Sequence, residues 1–179
     1  MRAIFASMFR TARKACLPTL LLLAAAAAHA DEITVSAAAS LSNAFRDIAA
    51  AFQAEHPDVE VLLNFAPSDA LLQQLGAGAP IDVLATADEE TMDKAAQRKL
   101  ITPATRRNFA GNTLAVVTPA DSGLTLTKLS DLTQGAVKRI AIGNPAGVPA
   151  GRYAQGALSQ AGVWPLPEGR AVYAQSVRQ

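Results

Sequence analysis

Cysteine is almost missing: the 179 residues contain one, Cys16. That excludes a disulfide framework and a cysteine-based metal centre, so an exported domain made from this chain must rely on its core. Histidine is scarce as well, with His29 and His56 alone. Aromatic side chains make up 5% of the sequence and charged ones 17%, with a formal net charge of +1. Without a basic excess or stacking side chains, a nucleic-acid binder is disfavoured. The apolar run Leu20 to Ala28 is too short to cross a bilayer. What is abundant is apolar side chain, half of all residues. That is enough for a buried core in one domain or two small lobes, and it argues against disorder.

The near-zero charge averages two unlike pieces. Residues 1–30 carry Arg2, Arg10, Arg13 and Lys14 and no acid, then the apolar run, then Ala28-His29-Ala30. A positive front, a short apolar stretch and a small-x-small end describe a Sec-type signal peptide cleaved near Ala30/Asp31, which implies export to the periplasm. No Arg-Arg pair precedes the apolar run, so the twin-arginine route is not indicated. Cys16 falls in the removed segment, and the remainder has 12 basic and 15 acidic residues, a net of −3.

From Asp31 onward, strand-like and helix-like stretches alternate. Ile33-Thr34-Val35 opens a strand running into Ala37-Ala38-Ala39. Leu41, Phe45, Ile48 and Phe52 recur as one face of an amphipathic helix, which His56-Pro57 ends. Val59, Val61, Leu63 and Phe65 alternate as a half-buried strand. A helix over Asp69 to Leu75 closes at Gly76 and Gly78, Ile81 to Ala85 reads as a short buried strand, and a third helix starts at Asp88-Glu89-Glu90. Further on, Thr113 to Val117 reads as a central strand and Leu126 to Leu132 as a helical turn. Arg139 to Ile142 reads as a strand, Gly151 to Gln160 as a helix and Arg170 to Ala174 as a last strand. This alternation predicts an α/β fold with mostly parallel sheet flanked by helices.

Parallel sheets bind ligands beyond the carboxyl ends of their strands, where helices begin. Four such junctions here are built from small residues: around Ser40, around Ser68, over Asn144 to Gly151, and over Gln175 to Arg178. A helix start carries unpaired N–H donors and roughly half a positive charge, so several facing one point hold an anion without lysine or arginine. The competing explanation for each serine is an ordinary helix cap, stabilising by about 1 kcal/mol. Catalytic arrangements are lacking. There is no Gly-x-Ser-x-Gly elbow, no Cys/His cluster, and no lysine after Gly76-Ala77-Gly78 to make a phosphate loop. His56 beside Pro57 is a helix C-cap rather than a base, and Asp88-Glu89-Glu90 are ordinary first-turn acids. The sequence is not expected to encode an enzyme.

Several blocks carry a family resemblance. They are Thr34 to Ala44 with its Ala-Ala-Ser-Leu core, Asn64 to Ser68, Gly76 to Val83, Gly111 to Leu114, Ala141 to Pro145, and Val148-Pro149-Ala150-Gly151-Arg152-Tyr153-Ala154. In order and spacing, residues 33–177 resemble the periplasmic molybdate-binding proteins of ABC importers. The resemblance implies a two-lobed type II periplasmic-binding-protein fold, with lobes over 31–109 and 110–179, incomplete at the C-terminus. It implies capture of molybdate or tungstate by neutral donors with no counter-cation, no cofactor and no cation site. Ser40 and Ser68 would supply hydroxyl and backbone donors, and Ala150 and Val177 backbone N–H groups. The family's ligand tyrosine would lie beyond Gln179, and neither Tyr153 nor Tyr173 occupies its place. The implied partners are a membrane permease with its ATPase, the binding protein itself being a monomer. Two alternatives stay open: a binder of another oxyanion (sulfate, phosphate or thiosulfate), and a truncated fragment that binds nothing.

Overall fold

A computed structural model describes residues 31–179. The expected signal peptide and Cys16 lie outside the described residues. The elements run β1 (Asp31–Ala38), α1 (Ser42–Glu55), β2 (Val59–Ala66), α2 (Ser68–Gly76), β3 (Val83–Ala85), α3 (Glu89–Gln97), β4 (Ile140–Gly143), α4 (Pro149–Gln160) and β5 (Ala171–Ala174). Single 3-10 turns occupy Ala39–Leu41, Pro103–Thr105 and Leu129–Thr133.

Two parallel sheets result. In the first, β1 lies between β2 and β3; in the second, β4 pairs with β5. Strands that run the same way must be joined by a crossover, which is why a helix follows each strand before its neighbour is laid down. The sequence marks the centre of the first sheet with small residues. Ala37 and Ala38 are buried, as are Leu71 and Leu72 of α2, which packs on β1, and Ala95 of α3, which packs on α2. The second core gathers Leu132, Ile142, Leu158, Val163 and Leu166, with Trp164 packed on it. Gly151 lets α4 lie against β4: a Cβ there would collide with the Gly143 carbonyl.

Four expectations are corrected. Thr113 to Val117 is no strand: it pairs with nothing among the described residues, and Val117 is 86% exposed. Apolar content alone does not make a strand, which needs a neighbour to take its N–H and C=O groups. The strand expected over Ile81 to Ala85 shrinks to Val83–Ala85 and lies at a sheet edge, leaving Val83 exposed. The expected helical face of α1 is only partly covered, with Ile48 59% exposed. At the chain's end, Ser176 to Arg178 form a turn rather than a helix start.

Candidate functional site at the strand ends

All four small-residue junctions fall at the carboxyl ends of parallel strands. The register of β1 with β2 pairs Ala38 with Ala66, so Ser40 and Ser68 each stand two residues beyond one matched pair. In the second sheet Gly143 pairs with Ala174, and Ala150 and Val177 lie beyond that pair.

Neither serine is a helix cap. Ser40 sits in the exposed 3-10 turn before α1, whose N-cap position is Leu41. Ser68 is the first residue of α2, and Pro67 holds the N-cap position. Leu41, Pro67 and Val148, the N-cap residues of α1, α2 and α4, have no side-chain oxygen, so none of these helices has a side-chain cap; at α1 the 3-10 turn instead gives the Ser42 N–H the Ala39 carbonyl as acceptor. In α4, Pro149 has no N–H, and Gly151 and Arg152 donate theirs to the Val148 carbonyl. Ala150 therefore carries the remaining first-turn donor. The Ser68 hydroxyl is fully buried and accepts the Ala87 N–H at 3.0 Å, which leaves its own proton to be donated.

Contacts between the two sheet units set these junctions opposite each other. The Arg178 guanidinium donates to the Ala39 carbonyl at 3.2 Å and to Asn43 Oδ1 at 3.1 Å, which brings the Val177 turn to the Ser40 turn. Arg152, two residues after Ala150, donates to the carboxylate of Asp69, the neighbour of Ser68, at 2.6 Å. Burial works against the Arg152 charge, but the accepting carboxylates of Asp88 and Asp69 outweigh it and raise its pKa above the ordinary value. A cavity of about 340 Å³ opens between the units, walled by Ala39, Ser42, Phe65, Pro67 and the side chains of Arg46 and Arg178. Arg46 also lies 5.0 Å from the Phe65 ring centre. None of Ser40, Ser68, Ala150 and Val177 lines that cavity. Ser40 and Val177 are exposed, Ala150 is half-buried and Ser68 is buried.

Sequence reasoning missed Arg152, and it read Asp88 as an ordinary first-turn acid, whereas its carboxylate is 3% exposed and ion-paired. The available signal was a cation in the first turn of a helix, where the dipole disfavours it.

Residues 33–179 match the family described as bacterial extracellular solute-binding protein. The chain belongs to that family. It is 43% identical over 159 residues to the molybdate-binding protein ModA of Escherichia coli, an alignment covering 84% of this chain and 61% of that protein. It is 32% identical to the ModA of Haemophilus influenzae, over 82% of this chain and 59% of that one. The solved periplasmic molybdate-binding protein of Azotobacter vinelandii superposes with a TM-score of 0.67 at 23% identity, over 82% of this chain and 64% of that structure. The fold is therefore that of the type II periplasmic binding proteins. The chain spans about three fifths of the length of these two curated relatives.

Proposed function

We propose that this chain is the binding component of an ABC importer that captures molybdate, and tungstate with it, in the periplasm. The observation that carries the reading is the set of four strand-end junctions, two per sheet unit, brought face to face, three of them opening on helices without a side-chain cap and the fourth on the Val177 turn. A tetrahedral dianion needs several donors converging from different directions, and fixed amides and hydroxyls supply them without the desolvation of a buried cation. Ser40 and Ser68 act from the unit over 31–109, and Ala150 and Val177 from the unit over 110–179. Molybdate is the ligand named for the relatives in Escherichia coli and Haemophilus influenzae.

Membership of the solute-binding family supports the rest of the reading. Capture of this kind is not catalysis, needs no resident cofactor, and hands the oxyanion to a membrane permease driven by an ATPase. A Sec-type leader over residues 1–30 would deliver the chain to that compartment as a monomer. Fixed neutral donors select by size and by protonation, because a hydrogen on the oxyanion would meet a donor rather than an acceptor. Molybdate and tungstate, with long metal–oxygen bonds, then fit where sulfate is too small. Calorimetric competition among molybdate, sulfate, phosphate and thiosulfate tests this. Sulfate, phosphate and thiosulfate should each bind at least about tenfold more weakly, a difference of about 1.4 kcal/mol.

A further inference from the structure

Arg152 stands in the first turn of α4, where a positive charge opposes the helix dipole, so its placement needs another cause. The cause lies across the two units. Nη1 meets Asp69 in the first turn of α2 at 2.6 Å, and Nη2 meets Asp88 at the N-cap position of α3 at 2.5 Å. Nη2 also donates to Thr91 Oγ1 at 3.2 Å, and Thr91 donates to the other Asp69 oxygen. Glu90, itself paired with Lys94, lies 3.5 Å from Nε. One side chain thus fastens three helix starts, over 64 and 83 residues of sequence.

The chemistry suits a fastening between separate helices. A planar guanidinium fork can serve two carboxylates on separate helices, which an ammonium cannot do with the same geometry. Thr91 is fully buried and the second Asp88 oxygen has no partner. Removing the cation would leave Asp69 and Asp88 as poorly solvated like charges facing each other. The fastening is also coupled to the candidate site. Asp69 follows Ser68, Asp88 follows Ala87, whose N–H the Ser68 hydroxyl accepts, and Arg152 lies two residues beyond Ala150. Parting Arg152 from Asp69 and Asp88 therefore moves the Ser68 and Ala150 junctions apart.

We propose that Arg152 is the closure latch of this protein: a positioning residue that holds the two units together and thereby sets how long a captured oxyanion is retained. The retention half rests on the function proposed above; the latch itself does not. Spin labels on cysteines introduced at Glu55 and Gln160, the exposed ends of α1 and α4, report the distance between units in the full chain carrying Cys16→Ser, with no anion present. The parent chain should give a narrow distribution, Arg152→Gln a broader and longer one, and Arg152→Lys an intermediate one. Adding Asp88→Asn to Arg152→Gln should recover melting temperature without restoring the narrow distance. A lowered melting temperature with an unchanged distance in Arg152→Gln would reduce Arg152 to a structural residue and overturn the latch. Molybdate dissociation, measured separately on the chain extended at the C-terminus to the length of the Escherichia coli relative, should quicken by about 5–100-fold in Arg152→Gln. An unchanged dissociation rate beside a broadened distance would overturn its role in retention. A parent chain that, extended at the C-terminus to the length of the Escherichia coli relative, binds no molybdate would overturn the oxyanion reading, while the anion-free distances would still decide the latch.

Discussion

Ser40 and Ser68 look alike in sequence and differ in their surroundings, so their substitutions should behave differently. Ser40 is exposed and caps no helix, so Ser40→Ala should leave the melting temperature unchanged while weakening oxyanion binding by about 1–3 kcal/mol, the range for a hydrogen bond to a charged group. Ser68→Ala should weaken binding similarly and also destabilise the fold by about 1–3 kcal/mol, because the Ala87 N–H loses its buried acceptor. Paired calorimetry and thermal melting separate the two. A Ser40→Ala chain with lower stability and unaltered affinity would return Ser40 to the status of a cap. In the proposed site Ala150 acts through its backbone, so Ala150→Ser should be mild. Ala150→Pro is compatible with the first turn of a helix and keeps the fold, but it deletes the N–H and should abolish binding. The junctions that hold these positions were legible in the sequence because small residues after a strand and before a helix leave a recognisable pattern, whereas Ala150 itself was singled out only by the family resemblance. Asp69 and Asp88 were not, because nothing local says that a cation 64 or 83 residues away will face them.

Among the elements, the strands and helices with regular spacing were legible: alternation in β2 records its more buried side, whereas the spacing in α1 marked the helix but not its packed side, which buries Ser42 and Ala49 and leaves Ile48 exposed. The run over 113–117 was not, because an apolar stretch specifies burial or pairing only together with a neighbour, and that neighbour is not written in the stretch itself. Its amides should accordingly exchange with solvent much faster than those of β1, which sits between two strands. Protection of residues 113–117 equal to that of β1 would show a ladder there after all. Gly151 makes the opposite case of a local residue with a strict packing demand. Gly151→Ala should destabilise the chain by about 1–3 kcal/mol, as overpacking does, because the new methyl meets the Gly143 carbonyl where α4 lies against β4. Gly147→Ala, which has open space around it, is the control in the same thermal melts and should change little.

At the scale of the molecule, the parallel α/β class followed from the alternation of elements, and the facing of the two units did not. Register within each sheet places the junctions in pairs, and long-range side-chain contacts, among them Arg178 to Ala39 and Asn43 and Arg152 to Asp69 and Asp88, bring one pair to the other. The central claim is that these paired junctions hold a large tetrahedral dianion through neutral donors. It is tested most directly by titrating molybdate and sulfate, in one calorimetric series, into residues 31–179 extended at the C-terminus to the length of the Escherichia coli relative. The account predicts that molybdate binds, that sulfate binds at least about tenfold more weakly, and that Ser40→Ala narrows the gap by weakening molybdate. Sulfate binding as tightly as molybdate, with both indifferent to Ser40→Ala, would contradict it.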